Sequence, residues 1–214
     1  MTIDRSAALV EWLAPARTAV VIVDMQVDFG ARDGVLGLAG VDISAVPSAL
    51  AAAERLAEAA RAAGAAVMFV GLQTRPETDS PVWAERTRRL DGDPAASLCR
   101  AGSPGAAFIG PTPRSGETVI AKTRYSAFVG TSLDELLRAR GADTLVVCGL
   151  TTECCVDCTV RDAFQQDYHV FLATDAFAAY EADLHEGALK SLALNCAILI
   201  DVDEAVAAWS NVAD

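Results

Sequence analysis

Histidine is almost missing from this chain: its 214 residues hold only His169 and His185. The common nitrogen ligands of a zinc or iron centre are therefore scarce, and residues 73–116 contain none of them. Basic residues are in deficit too, 17 against 29 acidic ones, for a net charge of −12. Arg86-Thr87-Arg88-Arg89 is the one dense basic patch. This balance argues against nucleic acid or an anionic membrane surface as the main partner. No apolar run approaches the roughly 18 residues of a membrane-crossing helix. The first residues carry Asp4 and Glu11 and lack the apolar centre of a signal peptide. The six cysteines are accordingly expected in a reducing cytoplasm. Internal repeats, low-complexity tracts and a second domain are not visible, so residues 1–214 read as one domain.

What the chain does have is an apolar content of 52%, enough for a full core at this length. The run Thr18-Ala19-Val20-Val21-Ile22-Val23 is continuous and rich in β-branched residues, the pattern of a strand buried on both faces. Further strands are read at 65–70, 118–121, 144–148, 168–173 and 197–200. Helical spacing appears at 47–63 with Gly64 closing it, at 132–140 from a capping box Ser132-Leu133-Asp134-Glu135 to Gly141, after 155, at 183–195 and at 204–209. A short helix is read near 6–13. Strands and helices alternate almost throughout, which predicts an α/β three-layer, Rossmann-like domain: a six-stranded parallel sheet with helices on both faces. One segment departs from this rhythm. Residues 73–117 hold six of the eight prolines and a short Arg-rich helix near 82–90, and read as an irregular insertion over one end of the sheet.

In such sheets ligands bind beyond the carboxyl ends of the strands, where the strand order reverses. Three chemically useful groups fall at strand ends: Asp24 after the first, Lys122 after the third, and Cys155 just past the fourth. The fourth strand runs into Gly149-Leu150-Thr151-Thr152-Glu153-Cys154-Cys155-Val156, a tight turn opening a helix. A thiol in a first helical turn faces unpaired N–H groups and the positive end of the dipole, which lower its pKa. The plainer alternative for any one cysteine is a buried packing residue. An acid, an amine and a thiol in one crevice are a set for covalent catalysis.

Three stretches carry a resemblance: Val23-Asp24-Met25-Gln26-Val27-Asp28-Phe29, Lys122-Thr123-Arg124-Tyr125-Ser126-Ala127-Phe128, and Gly149 to Val156 with Thr159 and Ala163. In this order they resemble the isochorismatase-like cysteine hydrolases, in the amidohydrolase branch that includes N-carbamoylsarcosine, ureidoacrylate and biuret amidohydrolases. The resemblance covers about residues 18–200. It implies the strand order 3-2-1-4-5-6, Cys155 as nucleophile, Asp24 as its base and Lys122 as the cation orienting Asp24. It also implies a cis peptide at Leu150–Thr151, with the N–H groups of Thr151 and Cys155 as the oxyanion hole. The implied reaction is hydrolysis of a small amide or ureido compound through a thioester, without metal or other cofactor. Family members form dimers or tetramers, so a homodimer or homotetramer is implied here.

Other readings compete. Cys155-Val156-Asp157-Cys158 is a C-x-x-C at a helix start, as in thiol redox proteins. Metal-assisted nicotinamidases carry paired histidines after the second strand, which this chain lacks. Isochorismatases that cleave a vinyl ether lack the cysteine matching Cys155. Gln26 and Phe29 are expected to line the pocket, Tyr125 and Phe128 to form its apolar wall, and Arg124 to meet a substrate carboxylate. Trp83 and Arg75, in the insertion, are placed to set specificity. His169 reads as a strand-packing residue, His185 as a core-edge histidine, Asp175 as a turn residue, and Cys99 and Cys196 as incidental.

Overall fold

A computed structural model describes residues 5–90, 92–93 and 97–210. The ends of the expected domain, and positions 91 and 94–96 of the expected insertion, lie outside the described residues. Helix α1 (Arg5–Trp12) leads into strand β1 (Thr18–Val23), the short helices α2 (Val27–Gly30) and α3 (Val35–Leu38), and the long α4 (Val46–Ala63). Then come β2 (Ala66–Leu72), α5 (Pro81–Arg89), β3 (Thr118–Lys122), α6 (Leu133–Ala139) and β4 (Thr144–Leu150). A π-helical turn (Thr152–Val156) opens α7 (Asp157–Gln165), followed by β5 (His169–Ala178), α8 (Ala182–Asn195), β6 (Ile198–Ile200) and α9 (Val202–Ser210).

The six strands form one sheet in the order β3-β2-β1-β4-β5-β6, and every pair is parallel. The order reverses between β1 and β4. Both of these central strands are buried along their whole length, as their unbroken apolar sequences require. Helix α4 buries a stripe that includes Ala49, Ala53, Leu56, Ala57 and Ala60, and Gly64 ends it with φ of 80°. Small residues on that stripe let the helix sit close over the sheet. Helices α4, α9 and α1 form one packed group, and α7 and α8 a second.

The structure moves several boundaries. Strand β5 continues past Ala173 to Ala178, because Thr174 and Asp175 do not end it. Asp175 is not a turn residue: within β5 its Oδ1 accepts the N–H of Val202 at 2.9 Å, capping α9. The capping box at Ser132 does not form; the Ser132 side chain makes no cap, and Thr131 Oγ1 accepts the N–H of Leu133 at 3.2 Å. His169 is exposed at the start of β5 rather than packed. In the insertion, α5 is capped by Ser80, whose Oγ accepts the N–H of Trp83 at 3.2 Å.

Candidate active site

The crevice at the reversal point is built from the ends of β1, β3 and β4. Asp24 follows β1 with φ of 53°, a left-handed turn that swings its side chain toward β2. Its own N–H donates to the Val70 carbonyl at 2.9 Å. Its Oδ1 accepts the N–H of Leu72 at 2.8 Å, so one carboxylate oxygen is held by the backbone of β2. Its Oδ2 meets the ammonium of Lys122 at 2.6 Å, with both side chains wholly shielded from solvent, and accepts no well-aligned hydrogen bond. Lys122 ends β3 and reaches past the end of β2; its Nζ also donates to the Arg124 carbonyl at 2.9 Å.

On the other side, β4 must come very close to β1. Gly149 pairs with Val23 at φ of 147°, and a Cβ there would fall on the Val23 carbonyl oxygen. Only glycine fits both constraints. The next peptide but one, Leu150–Thr151, is cis. The chain then enters the π-helical turn, where Cys155 is buried and Cys154 half-buried. Thr159 Oγ1 donates to the Cys155 carbonyl at 2.7 Å and accepts the Ala127 N–H at 3.0 Å, tying the Cys155 turn to the segment after Lys122.

The electrostatics differ from the sequence expectation. The neighbouring Cys154 thiol holds Cys155 well above the ordinary thiol pKa. Burial and the charge of Asp24 push Cys155 further up, against the pull of Lys122. So the expected lowering at a helix start is not what this turn produces. Its first turn is widened, and a carboxylate faces the thiol. Burial works against the Lys122 ammonium, but Asp24 and the Cys155 sulfur outweigh it and keep its pKa above the ordinary lysine value. Lys122 is therefore stabilised by the charge of the acid and by the sulfur together.

The structure brings Asp24, Lys122, Cys155 and the Thr151 turn together, and distributes the other expected residues differently. Gln26 is a frame residue: Nε2 donates to the carbonyls of Leu72 (3.0 Å) and Ala106 (2.8 Å), and Oε1 accepts the Leu72 N–H (2.8 Å). Its donors are used in tying β1, β2 and the insertion. Phe29 is buried, and its carbonyl accepts the Tyr180 hydroxyl at 2.8 Å. Phe128 points away and packs against Tyr168, before β5, with ring centroids 5.9 Å apart; it is not a wall of the crevice. Tyr125 lies against Trp83 of α5 at 5.0 Å, and Arg124 lines the same cleft with its Nη1 donating to the Thr123 carbonyl at 2.7 Å.

Four residues of the surroundings were not singled out by sequence reasoning for the parts they take. Asp28 is buried, accepts the N–H groups of Val35 (3.1 Å) and Cys99 (2.6 Å), and so clamps the insertion. Cys99 enters this clamp through its backbone N–H alone. Glu153 accepts the Thr151 hydroxyl at 2.8 Å, and its other oxygen is buried with no hydrogen-bond partner. His185, on α8, meets the hydroxyl of buried Thr152 at 2.8 Å and thereby anchors the turn. Only the last had a signal, a half-polar helix face; the contacts of Asp28, Cys99 and Glu153 span distant segments. Among the described residues no group of three His, Cys, Asp or Glu side chains gathers as a metal site.

Residues 18–204 match the isochorismatase domain model. The chain belongs to the isochorismatase family. A ureidoacrylate amidohydrolase of Azorhizobium caulinodans is 37% identical, with 77% of each chain covered. A cysteine hydrolase of Pseudomonas syringae superposes with a TM-score of 0.83 at 27% identity, over 94% of this chain and 95% of that one. The N-carbamoylsarcosine amidase of Thermoplasma acidophilum gives 0.70 at 26%, over 87% and 97%. The sheet order read from the resemblance is the order observed, and this member of the isochorismatase family is a hydrolase.

Proposed function

We propose that this isochorismatase-family member is a cysteine-dependent amidohydrolase that cleaves the C–N bond of a small amide or ureido compound. The observation that carries the reading is the buried Asp24–Lys122 pair at 2.6 Å, set at the strand ends where the Cys155 turn follows β4 against β1. The amidohydrolase relatives support the substrate class. In the cycle the Cys155 sulfur attacks the carbonyl carbon while its proton passes to Asp24 Oδ2, the oxygen left without a well-aligned hydrogen bond. The carbonyl oxygen gains the negative charge and is met by the N–H groups of Thr151 and Cys155. The intermediate collapses as the C–N bond breaks, and the leaving nitrogen takes the proton from Asp24 and departs as ammonia or amine. The product on the enzyme is a thioester, or a thiocarbamate from a ureido substrate. Water then attacks it, giving its proton to Asp24; the acid or carbamic acid leaves, and the proton returns to sulfur.

Lys122 keeps Asp24 ionised and in place through this cycle, and balances the charge as the proton moves. A site closed to bulk water strengthens each of these interactions. The test is ammonia release from a panel of small amides and ureido acids by native protein and Cys155→Ala, each with and without chelator. Release abolished by the substitution and indifferent to chelator is expected. Release that survives in Cys155→Ala overturns the thiol mechanism, and loss on chelation overturns its independence from metal.

A further inference from the structure

In the proposed cycle the N–H groups of Thr151 and Cys155 meet the oxygen of the reacting carbonyl. They sit at opposite ends of one turn, so their placement depends on how that turn is held from outside. The Cys155 end is held through Thr159, whose hydroxyl donates to the Cys155 carbonyl at 2.7 Å and accepts the Ala127 N–H at 3.0 Å. The Thr151 end is held less firmly by its own backbone. The Thr151 carbonyl accepts the N–H groups of Cys154 and Val156, both at 3.2 Å, the long end of the normal range. The Thr151 hydroxyl donates to Glu153 Oε1 at 2.8 Å, a contact inside the turn that fixes nothing relative to the rest of the fold.

His185 reaches this end from another element. Thr152 is wholly shielded from solvent, and its Oγ1 lies 2.8 Å from Nδ1 of His185 on α8. Helix α8 packs against the turn and against α7. No α8 residue before Leu192 is fully buried, and His185 is the side chain in that stretch bonded to a shielded group of the turn. His185 also lines a cavity of about 480 Å³ whose wall holds none of Asp24, Lys122, Thr151 or Cys155. Any effect of the ring on the reaction therefore passes through Thr152. A bond to a buried hydroxyl next to the Thr151 peptide fixes where the Thr151 N–H points. Donors of this kind work when held within about 0.5 Å of the productive geometry, and a misplacement of ~1 Å can cost about 10²-fold in rate.

We infer that His185 is a positioning residue for the reaction: through Thr152 it holds the Thr151 N–H on the carbonyl oxygen and so speeds acyl transfer without touching the substrate. The inference rests on the amidohydrolase reading above, and it gives α8 a part in the chemistry.

Two covalent probes separate this role from a merely structural one. 4-Nitrophenyl acetate acetylates the Cys155 sulfur by addition to a carbonyl and releases 4-nitrophenol, so it needs the N–H donors. Iodoacetamide alkylates the same sulfur by displacing iodide, and no oxyanion forms. Both rates are measured on the full chain, less the rate in Cys155→Ala. His185→Leu is expected to slow acetylation about tenfold or more and to leave alkylation nearly unchanged. His185→Asn, whose side-chain amide reaches the place of Nδ1, is expected to recover most of the loss. Thr152→Val should lose as much as His185→Leu, and the double variant no more than either single one. Acetylation unchanged in His185→Leu overturns the inference. So does equal slowing of both probes, no recovery in His185→Asn, losses that multiply in the double variant, or no acetylation of Cys155 in the native chain. Ammonia release from the amide panel by the native chain and Cys155→Ala decides the amidohydrolase reading separately, and the comparison of probes still reports on the turn if that reading fails.

Discussion

Replacing Lys122 by Met removes one half of an ion pair that has no contact with solvent. The ammonium is 2.6 Å from Asp24 Oδ2, and the other carboxylate oxygen is already bound to the Leu72 N–H. The carboxylate would be left buried with one oxygen facing methyl groups. Breaking a buried pair in this way costs about 3–5 kcal/mol. For a domain of this size each kcal/mol moves Tm by about 2–4 °C, so a fall of roughly 6–20 °C is expected. Lys122→Met combined with Asp24→Asn removes both charges and keeps an acceptor for Leu72. It is expected to recover at least half of that loss, because the uncompensated charge is gone. Urea denaturation at pH 7 and fixed protein concentration measures both variants beside Asp24→Asn. Ammonia release from an accepted substrate is expected to vanish in all three. A Lys122→Met loss under about 1 kcal/mol, or a double variant as unstable as the sum of the singles, would refute the argument that the pair is mutually compensating.

Asp24→Asn also tests the electrostatics of the thiol. The neighbouring Cys154 thiol, burial and the negative charge of Asp24 hold the Cys155 pKa up. Without that charge the Lys122 ammonium acts unopposed, so alkylation of Cys155 by iodoacetamide at pH 7 should speed up while turnover stops, as peptide mapping would show. Slower alkylation would mean that Asp24 does not face the thiol. A second pair, Arg61 Nε to Glu117 Oε1 at 2.7 Å with Arg61 Nη2 to Oε2 at 2.9 Å, holds Glu117 below the usual glutamate pKa. Its stabilisation is present above the unfolded-state pKa of glutamate and is lost as pH falls through the depressed folded value. Glu117→Gln should therefore cost about 1 kcal/mol at pH 7 and nothing once pH is below that value, read as stability against pH. Gly149→Ala should cost about 2–6 kcal/mol, since φ and the Val23 carbonyl both oppose it. Gly141→Ala, at φ of 70° with open space around it, should cost only about 1–2 kcal/mol; chemical denaturation ranks the two.

The parts of the fold that could be read from sequence are those fixed by local pattern. The runs 18–23 and 144–148 are apolar without interruption because both faces of β1 and β4 are covered, and nothing else gives that pattern at that length. Asp24, Lys122 and Cys155 could be picked out because each directly follows such a run or the turn after it. What stayed hidden depends on partners far away in the chain. Gln26 looks like a pocket residue from its neighbours, yet its amide is committed to Leu72 and Ala106, 46 and 80 positions on. Phe128 follows Tyr125 by three residues but turns to Tyr168, because the chain between β3 and α6 is not helical there. Asp28 and Cys99 are 71 positions apart, and their contact fixes the path of the insertion with no periodic signal in either stretch. Ser132 has the right neighbours for a capping box, but its side chain makes no cap and Thr131 accepts the Leu133 N–H beside it.

The same contrast explains why a helix-start argument gives the wrong sign for Cys155. That argument counts the N–H groups and dipole of one helix, and both favour a thiolate. It omits the neighbouring Cys154 thiol and the burial of Cys155, and it omits what the sheet adds. At the reversal point β1 comes within contact of β4, with Gly149 against Val23, and so delivers a buried carboxylate to the same sulfur. Lys122 opposes that carboxylate only in part, and the thiol stays raised. Such a site gains nothing from holding a preformed thiolate; it favours keeping the proton on sulfur until a carbonyl arrives. In the proposed cycle the proton then passes to Asp24 and later onto the leaving nitrogen, and the total charge of the pocket does not change at either step. In a crevice closed to water this matters, because creating a new net charge there would cost several kcal/mol, whereas moving a proton between neighbours does not. The raised thiol and the buried ion pair are therefore one device: each is reasonable only because the other is present.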